Sequence, residues 1–141
     1  MSKLVVDASV ATKWLVAETL TDEALAILGS DNELVAPDLF PIEIGNVLWK
    51  KVRAAELTAE QAVERFEGLG KMGLRIVATG SIQSQAIQLA IETGRTVYDS
   101  LYLALAIAEE CGLVTADERF VNALRGTPHA SRVSWLGTTA R

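Results

Sequence analysis

The sequence predicts an α/β fold: a mostly parallel sheet of four to five strands with helices covering both faces. Three observations carry that expectation. Short β-branched runs alternate along the chain with longer segments of helical period. Two of those runs stop on an aspartate, at Asp7 and Asp117. The 141 residues are 50% hydrophobic, enough for one core in which roughly 70% of the unfolded-chain surface is buried.

The elements follow in order. Lys3-Leu4-Val5-Val6 is β-branched and apolar until Asp7 stops it, and Ala8 to Val16 reads as a short helix with Val10, Trp14 and Leu15 on its apolar face. Thr21 is a candidate cap for a helix carrying Asp22 and Glu23 in its first turn and closed by Gly29. Glu33 to Ala36 is a strand closed by Pro37; Asp38 to Arg53 is helical, with Pro41 tolerated in the first turn. Thr58 caps an acidic amphipathic helix through Glu60, Glu64 and Glu67. Leu74, Ile76 and Val77 form a third strand, and Ser81 to Thr93 a helix ended by Gly94. Val97 to Cys111 is a helix apolar nearly all round, hence central, with Gly112 as its stop. Leu113 to Asp117 is a fourth strand, Phe120 to Leu124 a short helix, and Val133 to Leu136 an edge strand. Residues 1–137 are expected to form a single domain, with 138–141 as a frayed tail.

Composition excludes several classes. A mean hydropathy of +0.25 is inconsistent with a disordered chain, and the apolar surplus points to a partner or a self-interface. The single cysteine, Cys111, excludes an internal disulfide and a cysteine-rich zinc site and suits a reducing compartment. Asp7 interrupts the N-terminal apolar run before a signal segment forms, and no stretch is long enough to span a bilayer. A cytoplasmic domain is expected. The net charge of −5 argues against nucleic acid at face value. Acids clustered as cation ligands would reverse that sign locally.

Such a cluster is readable. Ligands of open α/β sheets sit beyond the carboxyl ends of the strands, where Asp7 and Asp117 stand. Asp99 opens the central helix at the same edge, and Glu43 lies beside Phe40, Ile44 and Val47 on the inward stripe of its helix. Carboxylates this close repel and burial penalises their charge, so the cluster calls for protons, arginines or a divalent cation. Lys and Arg are scarce beside these positions in the chain, and oxygen-only ligands suit Mg²⁺ or Mn²⁺. Each acid taken alone also has a plainer reading: Asp99 as a favourable charge at a helix start, Asp7 and Asp117 as helix caps. The joint pattern favours a metal site suited to phosphodiester hydrolysis.

At this point the residues resemble a known family. Asp7-Ala8-Ser9, Glu43 with Asn46, Tyr98-Asp99-Ser100-Leu101-Tyr102-Leu103-Ala104-Leu105-Ala106 and Thr115-Ala116-Asp117-Glu118-Arg119-Phe120 resemble, in order and spacing, the acidic motifs of PIN-domain ribonucleases, and within them the VapC-type toxins of toxin–antitoxin modules. The resemblance implies a three-layer α/β/α sandwich and Mg²⁺- or Mn²⁺-dependent endoribonuclease activity on RNA. It also implies inhibition by a small cognate antitoxin. On it, Asp7 and Asp99 are the principal metal ligands, and Glu43 and Asp117 complete the site directly or through water. Ser9 and Thr115 match supporting hydroxyls, and Asn46 a polar position one turn from the glutamate.

Other features admit two readings. Lys50, Lys51 and Arg53 answer the dipole at a helix end, or form an RNA-backbone rail with Lys13, Arg95 or Arg119. Trp14 and Trp49 follow apolar periodicity as core or interface residues, and Trp135, like them, is a candidate for base stacking. His129 is expected to be exposed and incidental, and Cys111 to pack at a helix end. Leu39, Phe40, Leu48 and Trp49 suit a homodimer seam or a groove for an antitoxin helix. Two rival functions remain: a catalytically silent PIN-like module that binds RNA or protein, and a phosphoaspartate receiver. The receiver lacks its acceptor, since the third strand ends Val77-Ala78-Thr79, and no lysine ends a late strand.

Overall fold

The computed structural model describes residues 2–139. Its elements run β1 (Lys3–Val6), α1 (Ala8–Leu15), α2 (Thr21–Leu28), β2 (Glu33–Pro37), α3 (Phe40–Arg53), α4 (Ala59–Leu69) and β3 (Arg75–Val77), then a 3₁₀ turn (Gly80–Ile82). These are followed by α5 (Gln83–Thr93), α6 (Val97–Ala108), β4 (Gly112–Thr115) and α7 (Glu118–Ala123), and after a second 3₁₀ turn (Ala130–Arg132) by β5 (Val133–Trp135) and α8 (Leu136–Thr139). The five strands form one all-parallel sheet in the order β3-β2-β1-β4-β5. The chain lays β2 and β3 on one side of β1, then crosses to place β4 and β5 on the other. The direction of winding therefore reverses between β1 and β4, where an open α/β sheet leaves its crevice.

Alternation along β1 sends Val5 to one face and Val6 to the other, and each nucleates a core. Val5 packs with Phe40, Ile44, Leu48 and α6 from Leu101 to Ala106, whereas Val6 packs with Val10, Ala24, Ile27, Val114 and Leu136. Helix α6 contacts β1, β2 and β4, which explains its nearly all-apolar sequence. These faces make the expected three-layer α/β/α sandwich.

Several boundaries differ from the expectation for local reasons. The cap of α2 is Leu20, in the left-handed region at φ 67°, while the Thr21 hydroxyl accepts instead from the Glu18 backbone N–H at 2.8 Å. Gly112 does not stop α6. The helix closes at Glu109, Glu110 takes the left-handed turn at φ 54°, and Gly112 already pairs with Leu4 as the first residue of β4. Residues 80–82 form a 3₁₀ turn ahead of α5, and α3 begins at Phe40. Thr58 and Gln61 form the reciprocal capping box that starts α4. Of the expected tail, Thr138 and Thr139 lie in α8, and Ala140 and Arg141 fall outside the described residues.

Candidate active site

The crevice is built from helix starts. Asp7 follows the central strand, its N–H extending the β1–β4 ladder to the Val114 carbonyl at 3.4 Å. Its carboxylate caps α1, accepting from the Val10 N–H at 3.3 Å and the Ser9 hydroxyl at 2.5 Å. Asp117 follows β4 and caps α7, accepting from the Arg119 N–H at 3.0 Å. In both aspartates the cap engages one carboxylate oxygen, Oδ1, and leaves Oδ2 for other partners. Two hydroxyls tie the halves together. Ser9 Oγ accepts from the Ala116 N–H at 3.0 Å and lies 3.4 Å from Thr115 Oγ1, which accepts from the Asp117 N–H at 3.0 Å.

Glu43 leans inward from the first turn of α3, where the buried Tyr102 donates its hydroxyl to Glu43 Oε1 at 2.6 Å. Asp99 stands in the first turn of α6, behind a Thr96 cap that accepts its N–H at 3.0 Å. Arg95 closes the circuit: Nη2 lies 2.9 Å from Asp99 Oδ2 and 2.9 Å from Asp117 Oδ2. Its guanidinium sits over the Phe120 ring, 5.3 Å from the centroid. This corrects the expectation that cations are scarce at the acids. Arg95 precedes Asp99 by four residues, within reach of the cluster. Sequence reasoning offered Arg95 to an RNA-backbone rail and gave Tyr102 no role; the structure turns both onto the acids. Tyr102 sits inside a quoted motif three residues after Asp99, so helical spacing alone aimed it at the same crevice.

One arginine does not balance four carboxylates. Burial pushes the Asp7 carboxyl up to about 6, against the pull of its hydrogen bonds from Ser9 and Thr115. Glu43 is raised by burial despite the Tyr102 hydroxyl, and Asp99 by burial despite Arg95. The Asp99 charge acts on both Asp7 and Glu43, and that of Asp117 acts on Asp99, so the acids share one field. Among the described residues, no three ligating side chains stand close enough to grip a metal ion as the side chains lie. The donor set nevertheless fits a hard divalent cation. It is all oxygen, and burial raises three of its carboxyls in pKa, a penalty on their charge that a bound cation would offset.

The remaining expected residues fall around this centre. Asn46 is exposed on α3, one turn beyond Glu43. Lys13 and Lys51 line an open pocket of about 340 Å³ together with Ser9, Thr12 and Asp117, so part of the basic set does flank the acids. Lys50 and Arg53 are exposed, Arg53 lying over the Trp49 ring at 5.1 Å, and Arg119 is exposed with Nε 3.7 Å from Asp117 Oδ1. Trp14 is structural, donating Nε1–H to the Ala24 carbonyl at 2.7 Å, and Trp135 is half-buried on β5. His129 is half-buried rather than exposed, with Nε2 3.8 Å from Glu92 Oε2. Cys111 is a half-buried free thiol just after α6. Phe40 and Leu48 belong to the core, not to a surface seam. The other two expected residues do border exposed apolar grooves: Leu39 with Ile42, Ile87, Val97 and Tyr98 around one of about 560 Å³, and Trp49 with Val63 and Phe66 around another of about 340 Å³.

Fold and site together define an α/β protein with a carboxylate-lined crevice at the switch point of an all-parallel sheet. Comparison with known proteins makes this particular. The PIN domain profile matches residues 4–125, and the chain belongs to the PIN domain family. It is 34% identical over 119 residues to a protein named Ribonuclease VapC3 from Pyrobaculum aerophilum, a match covering 83% of this chain and 91% of that one. Among solved structures it is similar to PAE2754 from Pyrobaculum aerophilum (TM-score 0.71, 21% identity, 97% of this chain and 85% of the other). It is also similar to a toxin–antitoxin complex from Klebsiella pneumoniae (TM-score 0.64, 14% identity, 94% and 96%). These two likenesses establish the fold.

Proposed function

We propose that the chain is a Mg²⁺- or Mn²⁺-dependent endoribonuclease, the toxin of a toxin–antitoxin pair acting in the cytoplasm. One observation carries the reading: four carboxylates from four distant segments share one electrostatic field at the sheet's switch point, with Lys13 and Lys51 lining a pocket beside Asp117. Membership of the PIN domain family and 34% identity to a named ribonuclease support it.

Asp7 and Asp99 would hold the ion, with Glu43 and Asp117 completing the set directly or through water. When bound, Mg²⁺ or Mn²⁺ polarises a phosphoryl oxygen and acidifies a coordinated water. The chain's own residues do the rest. Ser9 holds the Asp7 carboxylate through its hydroxyl, and Thr115 anchors the Asp117 backbone by accepting its N–H. Tyr102 holds Glu43 in place, and Lys13 and Lys51 take the RNA backbone by charge. In-line attack of a water on phosphorus would break the P–O3′ bond, the O3′ leaving group taking a proton, and leave a 5′-phosphate and a 3′-hydroxyl. The Trp49 groove suits an apolar helix of a small antitoxin, and the Ile42–Tyr98 groove a second copy of the chain.

A second reading, a catalytically silent binding module, is favoured by Arg95, which already neutralises two of the acids. Cleavage of end-labelled structured RNA separates the two. Cutting with Mn²⁺ or Mg²⁺ that stops in EDTA and in Asp7→Asn and Asp99→Asn supports the nuclease. Inertness of all three proteins across a broad RNA panel supports the silent module, and a 2′,3′-cyclic phosphate product overturns the metal-activated water.

A further inference from the structure

We infer that Arg95 is the resident counter-cation of the acid site, which a divalent ion must displace from Asp99 and Asp117 in order to bind. The inference rests on the metal reading above and concerns what sets metal affinity. Geometry carries it. A single nitrogen, Arg95 Nη2, lies 2.9 Å from Oδ2 of both aspartates, and Nε is 3.2 Å from the same Asp99 oxygen. Those are oxygens that a metal would claim.

The arginine is held for this position rather than trapped by chance. Gly94, at φ 76°, closes α5 in the left-handed region that favours glycine and turns the chain toward the crevice. The Arg95 N–H then donates to Thr93 Oγ1 at 3.2 Å, and Phe120 supports the guanidinium from below. The arginine side chain retains 22% of its exposure, which leaves a route to solvent on displacement. Arg119 is no substitute: at 89% exposure and 3.7 Å it contributes little to Asp117. A divalent ion entering the site must break both Arg95 pairs and tolerate a neighbouring positive charge. Both effects weaken its binding.

Mn²⁺ titration by calorimetry, on the full chain, tests this with wild type, Arg95→Gln, Arg95→Lys and the Asp7→Asn/Asp99→Asn pair. Loss of the two partly exposed pairs should tighten Mn²⁺ binding in Arg95→Gln by roughly tenfold. Arg95→Lys, which keeps the charge and loses the fork, should fall between. In wild type, the Arg95 ¹⁵Nε resonance should move toward that of a free guanidinium as Mg²⁺ is added, a readout that does not depend on any variant folding. Unchanged or weaker Mn²⁺ binding by folded Arg95→Gln, or an Arg95 resonance indifferent to saturating Mg²⁺, overturns the inference alone. If wild type and Arg95→Gln bind Mn²⁺ no better than the double carboxylate variant, the metal reading fails and takes the inference with it.

Discussion

The two ends of the sheet use the same residue types to opposite effect. At the amino end, Arg75 on edge strand β3 pairs with Glu33 at 2.5 Å and with Glu109, and Lys3 lies 3.8 Å from Glu109. Here Arg75 holds the Glu109 carboxyl below its usual range, and the two glutamates push the guanidinium further up. At the carboxyl end, burial raises Asp7, Glu43 and Asp99, and Arg95 does not reverse it. The first arrangement is solvated and stabilises slightly, because water already screens its charges. The second is partly buried around a buried Asp7 and short of cations, and it costs stability in the free protein. Charge arranged at a loss, at the edge where the topology opens a crevice, is what the proposed active site requires.

Breaking the carboxyl end should have the largest effect. Asp99→Asn is expected to lower metal-dependent RNA cleavage by about a hundredfold or more, measured as single-turnover rate on a labelled RNA. Stability should respond in the other direction. The folded-state pKa of Asp7, about 6, lies above its usual 3.8, so the folded protein binds the proton more tightly. The ionisation penalty is absent below about pH 4, grows as pH rises and is complete above about pH 6. Asp7→Asn, which keeps the helix cap, should therefore raise unfolding free energy in EDTA at pH 8 by up to about 3 kcal/mol, with the gain vanishing near pH 4. Urea unfolding across that range would show it; a gain that is constant with pH would contradict the assignment.

A smaller effect is expected at Tyr102. Tyr102→Phe leaves the half-buried Glu43 without its 2.6 Å donor. It should destabilise by about 1–2 kcal/mol and move the acid limb of the cleavage–pH profile to higher pH, since that donor lowers the Glu43 pKa. Smallest of all is the amino end. Arg75→Ala should cost under about 1 kcal/mol, less still in high salt, and leave cleavage untouched. Loss of activity in that variant would blur the contrast between the two ends.

Much of this was legible in the sequence because local rules decided it. Apolar strands that stop on Asp7 and Asp117 report a sheet edge, and the Thr58 capping box and the Gly94 terminator each act within one turn. Glu43 was legible from helical period alone. What escaped depended on distant partners or backbone choice. Leu20 and Glu110 take left-handed turns that no glycine announces, so Thr21 and Gly112 gave the wrong boundaries. Apolarity showed that a surface existed but not which side faced out. Phe40 and Leu48 went to the core while Ile42, at 71% exposure, took the surface. Arg95 escaped for the same reason: its pairing with Asp117, twenty-two positions on, exists only once α6 and β4 are docked.

The most direct test of the central claim combines stability with metal. Urea unfolding of wild type and Asp7→Asn at pH 8 would be compared in EDTA and in saturating Mn²⁺. The variant should be the more stable protein in EDTA. Mn²⁺ should close most or all of that gap by stabilising wild type alone, by about 2–3 kcal/mol at a hundredfold excess over its dissociation constant. A variant less stable than wild type in EDTA, with Mn²⁺ shifting neither protein, would mean that the carboxyl end of the sheet is ordinary structure and that its acids serve only as helix caps.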